Sequence, residues 1–133
     1  MSVDAFPLSD LIYIKGSPVD LESLKGKKIV VLELWATWCP PCQVASQFPD
    51  VVFIGVTSEE DVEHVKSFVE QMGEKMAYTV AIDNTNRVTQ QYMNEFKLSG
   101  IPCAFVIDYD GKVCWNGHPL EDGMVETIKR IRR

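Results

Sequence analysis

The chain has 133 residues, 46% of them hydrophobic and 24% charged, a balance that suits one globular domain with a single core. Its net charge of −6 and pI near 4.8 exclude broad nucleic-acid or anionic-lipid binding, which needs an excess of Lys and Arg. The opening "MSVDAFPLSD" lacks the basic and apolar regions of a secretory signal, and no apolar run reaches the roughly 18–20 residues that span a bilayer. Four cysteines without an export signal point to redox or metal chemistry in a reducing, cytoplasmic setting rather than to a disulfide scaffold.

Residues 1–10 are expected to be extended or poorly ordered. "LIYIKGSPVDLESLKGK" then reads as a peripheral strand, a turn at "KGSP" and a short helical piece. "KKIVVLELWA" is a near-continuous apolar run, as in a strand covered on both faces. "PPCQVASQF" carries prolines where a helix start tolerates them. "DVVFIGVT" is a second buried strand. In "SEEDVEHVKSFVEQMG", Ser58 is the expected N-cap and Gly73 the stop. Val62, Val65, Phe68, Val69 and Met72 fall on one face of that helix, and His64 falls among its charges. "TVAID" is a short strand and "NRVTQQYMNEFKLSG" a further helix.

"IPCAFVID" and "KVCWNG" flank Asp110-Gly111, which predicts a hairpin closed by a two-residue turn. In that register Tyr109 faces Lys112, Ile107 faces Cys114 and Cys103 faces His118. A helix from about Leu120 closes the chain, with "KRIRR" as its polar last turn. The order of elements predicts an α/β fold: a central mixed sheet flanked by helices, with a C-terminal β-hairpin and helix.

The chemistry centres on "ELWATWCPPC", Glu33 to Cys42. A thiolate attacks disulfides, and a free cysteine at neutral pH is mostly thiol. Cys39 stands where a buried strand gives way to a helix start, whose unpaired N–H groups and dipole favour the anion. Cys42, about a turn on, can close a disulfide and release a captured partner. Half of a zinc site and an inert pair are the alternatives. The lack of a second cysteine clip argues against zinc, which normally takes four ligands. Cys103 reads as a small buried filler, with a third exchanging thiol or a Cys₃His site with His118 as further possibilities; Cys114 reads as core. His118 is either an imidazole tuning Cys39 or Cys103, or a solvated loop residue.

With "VVLELWATWCPPC", "VVFIGVT", "GIPCAFVIDYDGKV" and "WNGHP" in view, the chain from about Leu11 onward resembles the thioredoxin superfamily, and most closely the TlpA/ResA-type thiol-disulfide oxidoreductases; tryparedoxin and nucleoredoxin share "WCPPC". The resemblance implies a thioredoxin fold in one domain over residues 1–133, with Cys39 attacking and Cys42 resolving. It implies a cis Ile101–Pro102 bond facing the dithiol and pairing with a substrate's backbone, and Trp38, Pro40 and Gly117 beside the substrate. Glu33, six residues before Cys39, matches a buried acid of thioredoxins. Strand alternation sets it on the face of Val31 and Trp35, where desolvation would raise its pKa and let it exchange the Cys42 proton. Trp38 is alternatively plain packing, and Glu33 a surface acid.

The implied activity is disulfide reduction through a mixed disulfide, without cofactor or metal. The expected partners are disulfide-bearing proteins or small molecules and an external reductase or dithiol, and the expected state is a monomer without nucleic-acid or membrane contacts. The rival is a thioredoxin-fold binding module whose cysteines are idle or hold zinc. A peroxidase would want Thr three residues before its cysteine, and Thr37 is only two before Cys39. Three departures from the family stand out: Cys103 after the proline, Ala45 where some ResA-type proteins carry Glu, and a short stretch from Cys42 to Val51. Ten helical residues cover about 15 Å against about 20 Å for a six-residue strand, so either a truncated first helix or a deletion is expected, and either would expose core beside the site.

Overall fold

The computed structural model describes residues 3–37 and 48–133. Within them a seven-stranded mixed sheet runs in the order β1-β7-β6-β3-β4-β5-β2. In chain order the elements are β1 (Val3–Asp4), β2 (Ile12–Lys15), α1 (Leu21–Leu24), β3 (Val30–Leu34), β4 (Val52–Thr57), α2 (Val62–Met72), β5 (Thr79–Ile82), α3 (Arg87–Glu95), β6 (Cys103–Ile107), β7 (Lys112–Gly117) and α4 (Asp122–Ile131). This is the α/β arrangement expected from the sequence, parallel in its middle and antiparallel towards both edges. Among the described residues no helix is long and apolar enough to cross a membrane.

β3 is central because its side chains have nowhere polar to point. It lies parallel to β4, from Val30 opposite Val52 to Leu34 opposite Val56, and antiparallel to β6. All five of its residues are buried, Glu33 among them, as its near-continuous apolar run leads one to expect. Val30, Leu32 and Leu34 pack with Val88 and Tyr92 of α3 on one face. Val31 faces the other way, with Met124 and Ile128 of α4, while Trp35 packs there with Val65 and Val69 of α2. Burying a side chain such as Met124 or Ile128 contributes roughly 1.5–3 kcal/mol, which holds helices too short to persist alone.

Local chemistry corrects several expectations. Asp61, not Ser58, caps α2, its side chain accepting from the His64 N–H at 3.1 Å. The chain after β4 is drawn aside by bonds from Glu59 back to Thr57, so the helix starts later. Gly73 stops the helix with φ +53°, as expected.

The hairpin loop is longer than two residues. The Gly111 N–H donates to Asp108 O at 3.0 Å, and Asp108 N–H donates to Lys112 O at 2.8 Å, so Asp108 rather than Tyr109 faces Lys112. Only Gly111 takes a positive φ, +76°; Asp110 does not. This is a β-turn followed by a left-handed residue, the usual three-residue hairpin loop. Ile107 consequently pairs with Val113, not Cys114, and a bulge at Cys114 restores the expected register from Val106 opposite Trp115 to Ala104 opposite Gly117.

Order begins earlier than anticipated, because Val3 and Asp4 pair with Val113 and Lys112. The Tyr92 hydroxyl then donates to Phe6 O at 2.8 Å, so residues 3–6 are held rather than loose. The anticipated truncated helix after Cys42 lies outside the described residues. Where the chain is described again it is not loose: Phe48 and Val51 are buried, and Arg132 pairs with Asp50 while its guanidinium lies 5.2 Å over the Phe48 ring.

Candidate active site

Trp38, Cys39, Pro40 and Cys42, like Pro41 and Ala45, lie outside the described residues. What surrounds their point of attachment is described on three strands. β3 runs towards Cys39 and carries Glu33 on its inner part. This glutamate is 5% exposed and sits between Gly55 of β4 and Ala104 of β6, two residues with little or no side chain to crowd it. It shares a face with Val31 and Trp35, as strand alternation predicts. The alternative of a surface acid is thereby excluded.

Trp35 is core, 1% exposed, and its Nε1 finds no hydrogen-bond acceptor among the described residues. An indole over Gly55 explains why position 55 has no side chain: a Cβ there would come within 2.9 Å of Trp35 Nε1.

The Ile101–Pro102 peptide bond is cis. Because Cys103 pairs with Leu34, this peptide lies at the end of β6 beside the outgoing end of β3. Gly117, opposite Ala104, brings the end of β7 to the same edge. The sheet therefore gathers Glu33, Ile101, Pro102 and Gly117 around the point where the chain departs for Cys39.

Cys103 and His118 follow Pro102 and Gly117 directly in the chain, and each makes contacts of its own. Cys103 is buried among Leu34, Phe105 and Tyr92, on the face of the sheet away from Glu33 and Ala104. Its Sγ lies 3.7 Å from Met93 Sδ. Burial foremost, and the Glu33 charge second, push its thiol up to about 11. That burial matches the reading of a small buried filler, whereas exchange with Cys39 or Cys42 involves residues outside the described ones. His118 is exposed and works locally: its Nδ1 accepts from Leu120 N–H at 3.1 Å, and its own N–H donates to Glu121 Oε1 at 3.2 Å. Those bonds shape the turn into α4. Cys114 is half-buried in the β7 bulge. Among the described residues no cluster of His, Cys, Asp and Glu could hold a metal ion.

A group that sequence reasoning did not single out stands beside the dithiol's approach. Thr37 N–H donates to Glu59 Oε1 at 2.9 Å, and Thr37 Oγ1 donates to Glu59 Oε2 at 2.7 Å. Thr57 Oγ1 donates to Glu59 Oε1 at 2.9 Å, and His64 Nε2 lies 3.1 Å from Thr37 Oγ1. From the sequence Glu59 is one more acid of a helix's first turn, and His64 a helix residue among charges. His64 is exposed, yet it reaches a partner 27 positions away that no local pattern announces.

A family model, Redoxin, matches residues 2–130 of the chain. The thiol-disulfide oxidoreductase ResA of Bacillus thuringiensis (strain Al Hakam) is 33% identical over 138 residues, covering 95% of this chain and 74% of the relative. ResA of Bacillus anthracis matches to the same extent. Among solved structures, that of MTB dsbF in mixed oxidized and reduced forms is 26% identical, covers 96% of each chain and superposes with a TM-score of 0.70. A thiol:disulfide interchange protein of the thioredoxin family from Chlorobium tepidum TLS is 26% identical over 98% of this chain and 94% of its own, with a TM-score of 0.71. The sheet with its cis-proline edge, the buried acid on the strand entering the cysteine pair, and these relatives agree: the chain belongs to the Redoxin family, as a thioredoxin-like protein of the TlpA/ResA type.

Proposed function

We propose that the chain is a thiol-disulfide oxidoreductase that reduces disulfides in proteins or small molecules through Cys39 and Cys42. The observation that carries this reading is Glu33, a carboxylate buried on the strand that leads into Cys39. A carboxyl on the strand that leads into Cys39 is placed to take or give a proton at the dithiol.

In the proposed cycle the Cys39 thiolate attacks one sulfur of the substrate disulfide. A Cys39–substrate bond forms, and the substrate's other sulfur leaves as a thiolate that takes up a proton. Glu33 accepts the Cys42 proton, directly or through water. The Cys42 thiolate then attacks Cys39 Sγ, which releases the second substrate thiol and leaves the Cys39–Cys42 disulfide. Two electrons have passed to the substrate, and an external dithiol or reductase restores them. Ile101, Pro102 and Gly117 line the edge where the substrate's backbone would lie, and Trp38 and Pro40, the neighbours of Cys39 in the sequence, would contact the substrate as well. No cofactor enters these steps.

Reduction of insulin, followed by turbidity with a dithiol reductant, tests this reading. The protein should accelerate it, and Cys39→Ser should abolish the acceleration. Glu33→Gln should slow resolution by about 10²-fold, the usual weight of one positioned proton-transfer group, and let the mixed disulfide accumulate. A fully reduced protein that fails to accelerate the reaction, or that purifies with stoichiometric zinc on the cysteines, overturns it.

A further inference from the structure

Thr37 stands two residues before Cys39, so its backbone sets the direction in which the chain enters the pair. Both of its donors go to one carboxylate, Glu59, at 2.9 and 2.7 Å. Paired charge-assisted bonds of this kind fix geometry as well as adding energy. Glu59 is held in turn by the hydroxyl of Thr57, itself 1% exposed at the end of β4. The Thr37 hydroxyl has a single hydrogen, which it gives to Glu59. It must therefore accept from His64, which places a proton on His64 Nε2. The network is thus ordered from His64 to Thr37 to Glu59, and ties the exit of β3 to the first turn of α2.

Given the proposed role of Cys39 and Cys42, on which this step rests, we propose that Glu59 is a positioning residue for the dithiol: it fixes Thr37, and so the chain that enters Cys39, and sets a negative charge beside that entry. Two physical effects share one sign. A fixed entry lowers the conformational freedom that the open dithiol would gain, and a negative charge beside Thr37 disfavours a thiolate two residues on. Both favour the disulfide over the reduced pair.

The test is redox titration of the full chain against reduced and oxidised glutathione at pH 7, with thiols trapped by alkylation and Tm recorded alongside. Glu59→Gln should shift the dithiol–disulfide equilibrium about tenfold towards the dithiol, a midpoint about 30 mV more oxidising. Thr37→Val, which keeps the N–H bond but loses the hydroxyl, should shift it the same way by a smaller factor, and Thr37→Ser should restore the wild-type midpoint. A lowered Tm with an unmoved midpoint in both Glu59→Gln and Thr37→Val makes the network merely structural and overturns the proposal. So does a Thr37→Ser midpoint that follows Thr37→Val. If Glu59→Gln does not fold, the two threonine variants decide. A wild-type protein with no reversible couple removes the functional reading and this proposal together, whereas a wild-type couple that the variants leave unmoved removes this proposal alone.

Discussion

Replacing Gly55 with alanine places one methyl group where the sheet has left no room. The new Cβ would stand 2.9 Å from Trp35 Nε1, 3.1 Å from Trp35 Cδ1 and 3.1 Å from Tyr78 Cε1. The indole cannot retreat freely, since it is buried against Val65, Val69 and the Phe68 ring, 5.8 Å away between centroids. Overpacking of this sort costs about 1–3 kcal/mol. The stiffer unfolded chain of alanine returns about 0.4–1 kcal/mol. The net expectation is a loss of about 1–2 kcal/mol, read as a fall of roughly 0.5–1 M in the urea midpoint at typical m-values. Trp35→Phe removes the crowding edge of the indole, so the double variant should lose less than the sum of the singles by about 0.5–1 kcal/mol. A midpoint that stays put or rises in Gly55→Ala, or strict additivity in the double variant, would refute the argument that the indole is what keeps position 55 bare.

Two further outcomes follow from the core. The Cys103 thiol is raised from 9.0 to about 11, so its contribution to stability is whole below pH 9 and drains away as pH climbs through 11. The stability gap between wild type and Cys103→Ala should therefore narrow by up to about 2 kcal/mol between pH 8 and pH 11, and an equal gap at both would sink this assignment. Tyr92→Phe strips the donor from Phe6 O and should cost about 1–2 kcal/mol. Amide exchange around residues 5–8 should quicken with it, because that hydroxyl is what pins the segment; unchanged exchange there would show the tether to be idle.

How much could be read from the sequence depended on how local the cause was. β3 and β4 announced themselves through near-continuous apolar runs, and the face of Glu33 followed from counting along the strand. The apolar stripe of α2 was likewise explicit in Val62, Val65, Phe68, Val69 and Met72, which pack together as one cluster with Trp35. The turn at Asp110-Gly111 misled because two loop lengths use the same dipeptide, and only the bonds of Asp108 to Gly111 and Lys112 distinguish them. The cap of α2 misled for a different reason: Ser58 is a good capping residue, but Glu59 is bound to Thr37 and Thr57, and that pull is invisible within a window of ten residues. The pairing of Val3 and Asp4 with β7 spans most of the chain, so nothing near residue 3 could foretell it.

The two flanks of the sheet are furnished by the first fifteen residues alone. β1 covers the outer side of β7, and β2, irregular between Tyr13 and Lys15, covers β5. A two-residue border and a kinked one give a stranger's chain little to zip onto. Clipping that leading stretch would bare the backbones of β7 and β5 together, turning a self-contained sheet into one that recruits its own copies into aggregates.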